Sequence, residues 1–285
     1  MKPEDLATKE KNTWCPGCPN FGILQAAKEA IVELNIAEKT AIVTGIGCHA
    51  KIYDYLNLKG FYGLHGRVLP IAFGIKLGNP DLTVIGFGGD GDTYAEGMEH
   101  FIHSCRYNAD LTMMVNNNQV FSLTTGQFTP TTEKGFKGAS NPLGVNENPI
   151  NPLILAMEAG ASFVARGYAL DIPHLKDLMK KAVTHNGFAF IDILQPCIMY
   201  HKHSSAYLNN NVYKIDQSHQ ASDLNRALAK AREWDYSYEK ETKVPVGIFY
   251  QTMRPVFQSQ WSQLKKPWYK IDRKTNLSNI TGEFK

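Results

Sequence analysis

The chain has 285 residues, 43% of them hydrophobic, enough to bury a full core, and a formal net charge of only +3. So small an excess of cation gives no ground for a nucleic-acid partner, though it suits an acidic electron carrier. No apolar run is long enough to span a bilayer, and the charged first fifteen residues do not read as a signal peptide, so a reducing cytoplasm without disulfides is expected.

In chain order, a first helix is predicted to start after Pro19-Asn20 and run to about Asn35. Its apolar stripe of Ile23, Ala26, Ala27, Ala30, Ile31 and Leu34 is wide enough to pack on a core. Apolar, β-branched runs at 40–44, 82–87, 111–115, 162–165 and 188–194 read as strands. Between them, helical periods are predicted at 67–77, from about 93 through 98–105, at 152–159 and at 173–185, the last two stopped by Gly160 and Gly187. This alternation predicts an α/β fold, an open parallel sheet with helices on both faces. After Cys197 the chain turns polar, with only a short helix at 223–234 and a strand at 244–250. We therefore divide it into a domain over 1–205 and a C-terminal extension over 206–285. From Gln258 the extension carries Trp261, Trp268 and Tyr269 among lysines, a composition that suits an arm wrapping a partner.

Two strand ends carry the chemistry. Gly89-Asp90-Gly91 closes one run, and Asn117-Asn118 closes the next, followed by Gln119-Val120. A hard cation such as Mg²⁺ takes oxygen ligands and shares them with substrate phosphates, so one carboxylate, one amide oxygen and one main-chain carbonyl suffice. Asp90, Asn118 and Val120 supply that set. Glycines beside Asp90 let the backbone approach phosphate oxygens, and the following helix start offers its amides. A Gly-Asp-Gly followed some thirty residues later by paired asparagines resembles the thiamin diphosphate motif. Gly-Asp-Gly alone is a common turn; the second half of the pattern makes it a site.

Cysteines add a second centre. Cys15-Pro16-Gly17-Cys18, Gly45-Ile46-Gly47-Cys48 and Gln195-Pro196-Cys197 bring four soft ligands from three loops, which suit either a tetrahedral Zn²⁺ or a [4Fe–4S] cluster. A structural zinc site more often draws two close pairs, and only one pair is close here, so the pattern tilts toward the cluster. Cys105 lies in a helical run and reads as a small buried residue.

Taken together, Trp14-Cys15-Pro16-Gly17-Cys18-Pro19, Gly45 to Cys48, Leu64-His65-Gly66-Arg67, Gly88 to Asp92 and Asn117 to Val120 resemble the β subunit of 2-oxoacid:ferredoxin oxidoreductases, over about Trp14 to Cys197. The resemblance implies a thiamin diphosphate-binding fold carrying thiamin diphosphate, Mg²⁺ and one [4Fe–4S] cluster. It implies Cys15, Cys18, Cys48 and Cys197 as cluster ligands, and Asp90, Asn118 and Val120 as Mg²⁺ ligands. Gly45, Ile46, Gly47, His65, Gly89, Gly91 and Asp92 would line the cofactor. The implied reaction is oxidative decarboxylation of a 2-oxoacid (pyruvate, 2-oxoglutarate or a broad range) with coenzyme A, giving acyl-CoA and CO₂, with electrons leaving through the cluster to ferredoxin. Activity would require an α subunit, in some members with a fused or separate γ part, in an αβ or (αβ)₂ assembly. The alternatives are half of a non-redox thiamin decarboxylase or synthase, its cysteines holding zinc or nothing, and a non-catalytic electron-relay subunit; retention of Asp90, Asn118 and the glycines argues against the second.

Other polar residues carry two readings each. His65 and Arg67 face a diphosphate or substrate carboxylate, or are solvated helix-start residues. Thr124 and Thr125 contact the 2-oxoacid or the thiazolium ring, or cap their own turn. Asp92 bonds the cofactor or, in the favoured reading, caps the helix beside it. His201 and His203 form a metal pair or, more often for such a polar stretch, face solvent. Arg166 is placed on the site rim as an anion contact, and His49 beside Cys48 as a hydrogen-bonding neighbour of the cluster.

Overall fold

A computed structural model describes residues 1–238, 242–271 and 281–282. Its strands are β1 Thr40–Thr44, β2 Lys59–Tyr62, β3 Thr83–Gly89, β4 Leu111–Asn117, β5 Val120–Phe121, β6 Gln127–Phe128, β7 Phe163–Tyr168, β8 Phe188–Leu194, β9 Val212–Lys214 and β10 Val244–Gln251. The helices are α1 Asn20–Glu33, α2 Ile52–Tyr55, α3 Val68–Gly78, α4 Met98–Tyr107, α5 Pro152–Glu158, α6 Ile172–Thr184, α7 Lys202–Asn211 and α8 Leu224–Ala231. Eight strands form one open sheet in the order β2-β1-β3-β4-β8-β7-β10-β9, and β5 and β6 form a separate hairpin. Neighbours from β2 to β7 run parallel, whereas β10 meets β7 antiparallel.

Alternation along each buried strand builds the two faces. Ile42, Ile85, Met114 and Ile191 project into one apolar layer with Ile23, Ala27 and Ile31 of α1 and with Leu175, Leu178 and Met179 of α6. Val43, Val84, Met113, Val115 and Phe190 project into the opposite layer with α3, α4, α5 and α8. A strand buried on both sides has no polar face, so it reads as an unbroken apolar run, and each large side chain buried there stabilises the fold by about 1.5–3 kcal/mol. Cys105 is wholly buried in the second layer, as a small apolar residue would be.

Three features differ from the sequence reading. The stretch expected as helix from about residue 93 opens as a π-helical turn over Gly91–Glu96, and Gly97 joins it to α4. The strand expected to stop at residue 165 runs on to Tyr168, so Arg166 lies inside β7. The line drawn at residue 205 passes through α7, and the segment beyond it adds β9 and β10 to the same sheet and α8 to its face. In the proposed arm, Gln258 is buried and its side-chain oxygen accepts the Asp110 amide at 3.3 Å, while Trp261, Trp268 and Tyr269 are exposed. Arm residues 272–280 and 283–285 lie outside the described residues. No helix among the described residues is long and apolar enough to cross a membrane.

Candidate functional site

Four adjacent strands, β1, β3, β4 and β8, end on one side of the sheet, and the motif residues leave from those ends. This is where open α/β sheets bind ligands. One cavity there is lined by Ile46, Gly47, Cys48, His49, His65, Gly89, Asp90, Gly91, Asp92, Asn118, Val120, Phe121, Ser122, Leu123 and Thr124. It gathers the expected diphosphate residues except Gly45, which lies just behind it against Asp92.

Asp90 is wholly buried at the end of β3. Its Oδ2 accepts the hydroxyls of Thr129 (2.6 Å) and Thr131 (3.1 Å), and its Oδ1 accepts the Asn118 amide (3.4 Å). Burial pushes its carboxyl up to about 6 even against those donors. A divalent cation in the same cavity would return the charge that burial disfavours, and the oxygens of Asp90, Asn118 and Val120 are the hard donors Mg²⁺ takes. The residues present therefore fit the ion. A side chain on Gly91 would fall on the Phe121 ring, so only glycine leaves this wall open.

Asp92, expected to cap its own helix, does something else. Its Oδ1 accepts the main-chain amides of Gly66 (2.7 Å) and Ile46 (3.3 Å), tying together the two loops that carry Gly45-Ile46-Gly47 and His65. His49 Nε2 lies 3.5 Å from one carboxylate oxygen and His65 Nδ1 3.5 Å from the other. Burial works to raise the Asp92 carboxyl, yet the histidines and the Gly66 amide hold it below the ordinary carboxylate range. His49 thus points at Asp92 beneath the diphosphate loops rather than serving the cysteines.

The cysteines are all free. Cys15, Cys18, Cys48 and Cys197 line a second cavity with Trp14, Asn20, Asn118, Ser122, Gln195 and Tyr200. Trp14 Nε1 donates to the Cys48 carbonyl at 2.6 Å and fixes the N-terminal segment against the β1 loop. Among the described residues the only three potential ligand atoms within 4.8 Å of one another are on Glu133, His201 and His203, so no three of these sulfurs approach that closely. A single tetrahedral zinc at about 2.3 Å from each sulfur would hold them roughly 3.8 Å apart. Burial raises the Cys18 thiol to about 11 and the Cys197 thiol as well, and the neighbouring cysteines push each the same way. Burial of this kind favours the neutral thiols.

The remaining expectations resolve individually. Thr124 lines the first cavity, but its hydroxyl is engaged by Gln127 Oε1 (2.7 Å) and the Phe121 carbonyl. Thr125 lies outside the lining at φ +79°, its amide closing the turn onto Ser122. Arg67 is exposed and donates to the Gly66 and Glu96 carbonyls, away from the cavity. Arg166 is no rim residue: it is wholly buried, its guanidinium among Trp234, Tyr236 and Phe249 at 5.0–5.3 Å and its Nε 4.0 Å from Asp192. Asp192 in turn accepts Tyr94, Tyr236 and Asn117, so this network holds the first asparagine of the motif from below. His201 does not face solvent either. It is buried, and with His203 it bonds the two oxygens of Glu133 at 2.7 and 2.6 Å, anchoring the segment that presents Thr129 and Thr131 to the loop after Cys197. Sequence reasoning missed Thr129, Thr131, Glu133, Asp192 and Gln195. The hydroxyl-rich Thr129-Pro130-Thr131-Thr132 run was the one local signal; the others stand alone in the sequence.

Residues 45–193 match the family model described as thiamine pyrophosphate enzyme, C-terminal TPP binding domain, and residues 197–266 match the model for the C-terminal part of the pyruvate ferredoxin oxidoreductase beta subunit. The chain is 45% identical over 257 residues to the 2-oxoacid:ferredoxin oxidoreductase subunit beta of Saccharolobus solfataricus, covering 85% of this chain and 82% of that one. It is 35% identical over 252 residues to the 2-oxoglutarate synthase subunit KorB of Methanocaldococcus jannaschii, covering 88% and 92%. Its structure superposes with a TM-score of 0.90 on the 2-oxoglutarate:ferredoxin oxidoreductase of Magnetococcus marinus, solved with 2-oxoglutarate, coenzyme A and succinyl-CoA bound, at 32% identity and covering 100% of this chain and 96% of that one. A buried Asp-Asn pair at two strand ends, a cysteine-lined cavity beside it and these relatives give one conclusion: the chain belongs to the β subunits of the 2-oxoacid:ferredoxin oxidoreductases.

Proposed function

We propose that this chain holds thiamin diphosphate, Mg²⁺ and one [4Fe–4S] cluster, and that with an α subunit it converts a 2-oxoacid and coenzyme A to acyl-CoA and CO₂, passing the electrons to ferredoxin. One observation carries the reading: Cys48, Asn118 and Ser122 line both cavities, so the diphosphate site and the sulfur site share a wall. When bound, thiamin diphosphate supplies carbanion stabilisation and the cluster supplies one-electron acceptance.

The chain's own residues do the positioning. Asp90, Asn118 and the Val120 carbonyl hold the metal, with Thr129 and Thr131 orienting Asp90. Asp92 keeps the loops of Ile46 and Gly66 at the spacing a diphosphate needs. His65, half-buried beside Phe121, stands at the cavity mouth, and Thr124 faces the same opening as a substrate contact; Thr125 has only a turn role. Phe61, Leu64, Leu123, Phe128 and Leu143 are exposed apolar side chains, with Leu123 on the cavity wall itself. Leu123 at the mouth, with further apolar side chains exposed elsewhere on the surface, suits a subunit that closes over the cofactor and keeps water from it. The arm from Gln258 is assigned to the same partner or to a second αβ unit.

The test is reconstitution. The purified chain should show the broad absorbance near 400 nm of an iron–sulfur protein but release no CO₂ from pyruvate or 2-oxoglutarate; with its α subunit it should reduce a low-potential viologen in a 2-oxoacid- and coenzyme A-dependent way. Decarboxylation by the isolated chain would replace this reading with a self-sufficient homomeric enzyme. Comparing the two acids in the reconstituted complex assigns the substrate.

A further inference from the structure

Between the two cavities stands one side chain that touches a ligand residue of each. Gln195 follows the last residue of β8, and its main-chain amide donates to the Asn117 carbonyl at 2.8 Å, carrying the strand pairing one residue past Leu194. Its side chain is buried and makes two bonds in opposite directions. Oε1 accepts Asn118 Nδ2 at 3.2 Å, and Nε2 donates to Cys18 Sγ at 3.7 Å.

The orientation of this amide follows from its partners. The Val120 amide donates to Asn118 Oδ1 at 3.1 Å, which turns Asn118 Nδ2 away toward Gln195 and Ser122. A donor there requires the oxygen of Gln195, and the NH₂ end is left for the sulfur. The chain of bonds therefore runs Val120 N–H to Asn118, Asn118 to Gln195, and Gln195 to Cys18, with each donor fixed by the one before.

We propose that Gln195 is a positioning residue that sets the reduction potential of the cluster through its N–H···S bond and passes the loading of the Mg²⁺–diphosphate site to the cluster. An N–H donor to a ligand sulfur stabilises the added electron of the reduced cluster, so the bond raises the potential. Metal coordination by Asn118 pulls electron density from its amide and strengthens the donation from Nδ2 to Gln195, and polarisation along the chain strengthens the next bond in turn. Loading the diphosphate site then favours reduction of the cluster, which is the direction in which electrons must move. Coupling of this kind is reciprocal, so cluster reduction tightens Mg²⁺–diphosphate binding by the same factor. The inference rests on the proposed cofactor content.

The experiment is an EPR-monitored potentiometric titration of the αβ complex, with and without Mg²⁺ and thiamin diphosphate, for the unmutated chain, Gln195→Leu and Gln195→Glu, after iron, sulfide and thiamin analysis. Leu removes both bonds; Glu keeps the acceptor for Asn118, removes the donor to Cys18 and adds a negative charge that lowers the potential by itself, so in Glu the loss of the response to loading is what reads the bond. In the unmutated complex the potential should rise when Mg²⁺ and thiamin diphosphate are added. Both variants should have a more negative potential, with a several-fold lower reduced-to-oxidised ratio at fixed poise, and the response to loading should be lost. If Gln195→Leu fails to assemble a cluster, Gln195→Glu and the unmutated comparison still decide. An unshifted potential in a fully loaded variant, or no response to loading in the unmutated complex, overturns the role of Gln195. A complex that contains no iron or no thiamin overturns the cofactor assignment itself.

Discussion

Asp92 Oδ1 sits 2.7 Å from the main-chain amide of Gly66, a bond across 26 residues of sequence that fixes the loop carrying His65 to the turn after β3. The same oxygen takes the Ile46 amide, so one carboxylate sets the distance between two loops from different strand ends. Asp92→Ala should weaken thiamin diphosphate binding by about 2 kcal/mol, the scale of losing a charged acceptor from buried donors, with iron content unchanged. Gly45→Ala should do similar damage, because its Cβ would occupy the position of the Asp92 carboxylate. Calorimetric affinity for thiamin diphosphate in the reconstituted complex measures both; wild-type affinity in either variant would show that the loops are held some other way.

Asp90 makes a separable prediction. Asp90→Asn keeps the shape that Thr129 and Thr131 surround but removes the charge, so Mg²⁺ and thiamin diphosphate should weaken together by on the order of 2 kcal/mol or more. Asn118→Ala should follow in the same direction but more mildly. The check is a diphosphate titration at several Mg²⁺ concentrations, and the assignment is sunk if affinity and metal dependence are both unaltered.

For the sulfur cavity, the proposed assignment of Cys15, Cys18, Cys48 and Cys197 to one cluster requires that Ser in place of any of them remove the iron, and that pairs of such changes cost no more than one. Cys105→Ser should keep full iron. It should still lower the melting temperature, because a hydroxyl replaces a wholly buried thiol in the apolar layer at a cost of about 1–3 kcal/mol. Iron and sulfide analysis of the five variants settles the assignment.

Arg166 and Asp192 form a buried charge pair beneath the asparagines. Burial pushes the Asp192 carboxyl up against the pull of Arg166, so Arg166→Met, which removes that cation, should destabilise the chain by about 3 kcal/mol, the lower end for a broken buried pair. The double variant with Asp192→Asn should recover part of that loss, a coupling that thermal melting of the four proteins in the cycle reads directly. Additive losses would mean that the two side chains act independently.

Glu133 gives a pH dependence. Burial would raise its carboxyl, but the bonds from His201 and His203 outweigh it and bring the group down to about 2 from its ordinary 4.5. The folded state therefore gives up this proton more readily than the unfolded chain. The stabilisation is fully present above about pH 4.5 and is lost as pH falls toward 2. Glu133→Gln should be less stable than the parent by about 1–3 kcal/mol at pH 7, and the gap should narrow on acidification below 4.5. A gap that stays constant between pH 7 and 3.5 in melting experiments would assign the clamp to packing rather than charge.

Much of the architecture was legible locally. Strands buried on both faces must be apolar throughout and their covering helices apolar on one side, so β1, β3, β4, β8 and helices α1, α3, α5 and α6 fall within a few residues of their predicted bounds. Arg166 and His201 were misplaced for a shared reason: each is polar, and polarity reads as exposure unless its partner is known. Arg166 is buried because Asp192 lies beside it on the neighbouring strand, and His201 because Glu133 reaches it from 68 residues away.

The sequence by itself determined the residue types and spacings that chemistry demands: the Asp and Asn oxygens at strand ends, the glycines that leave a wall open, and the four thiols on three loops. These are properties of single residues and their immediate neighbours, so they survive without a fold. Only the tertiary structure decided which carboxylate orients and which is oriented, that Asp92 fastens loops instead of capping a helix, and that Gln195 stands between Asn118 and Cys18. Hydrogen bonds such as these join residues 26 to 177 positions apart, and no local pattern encodes a partner that only the packing of the sheet brings near.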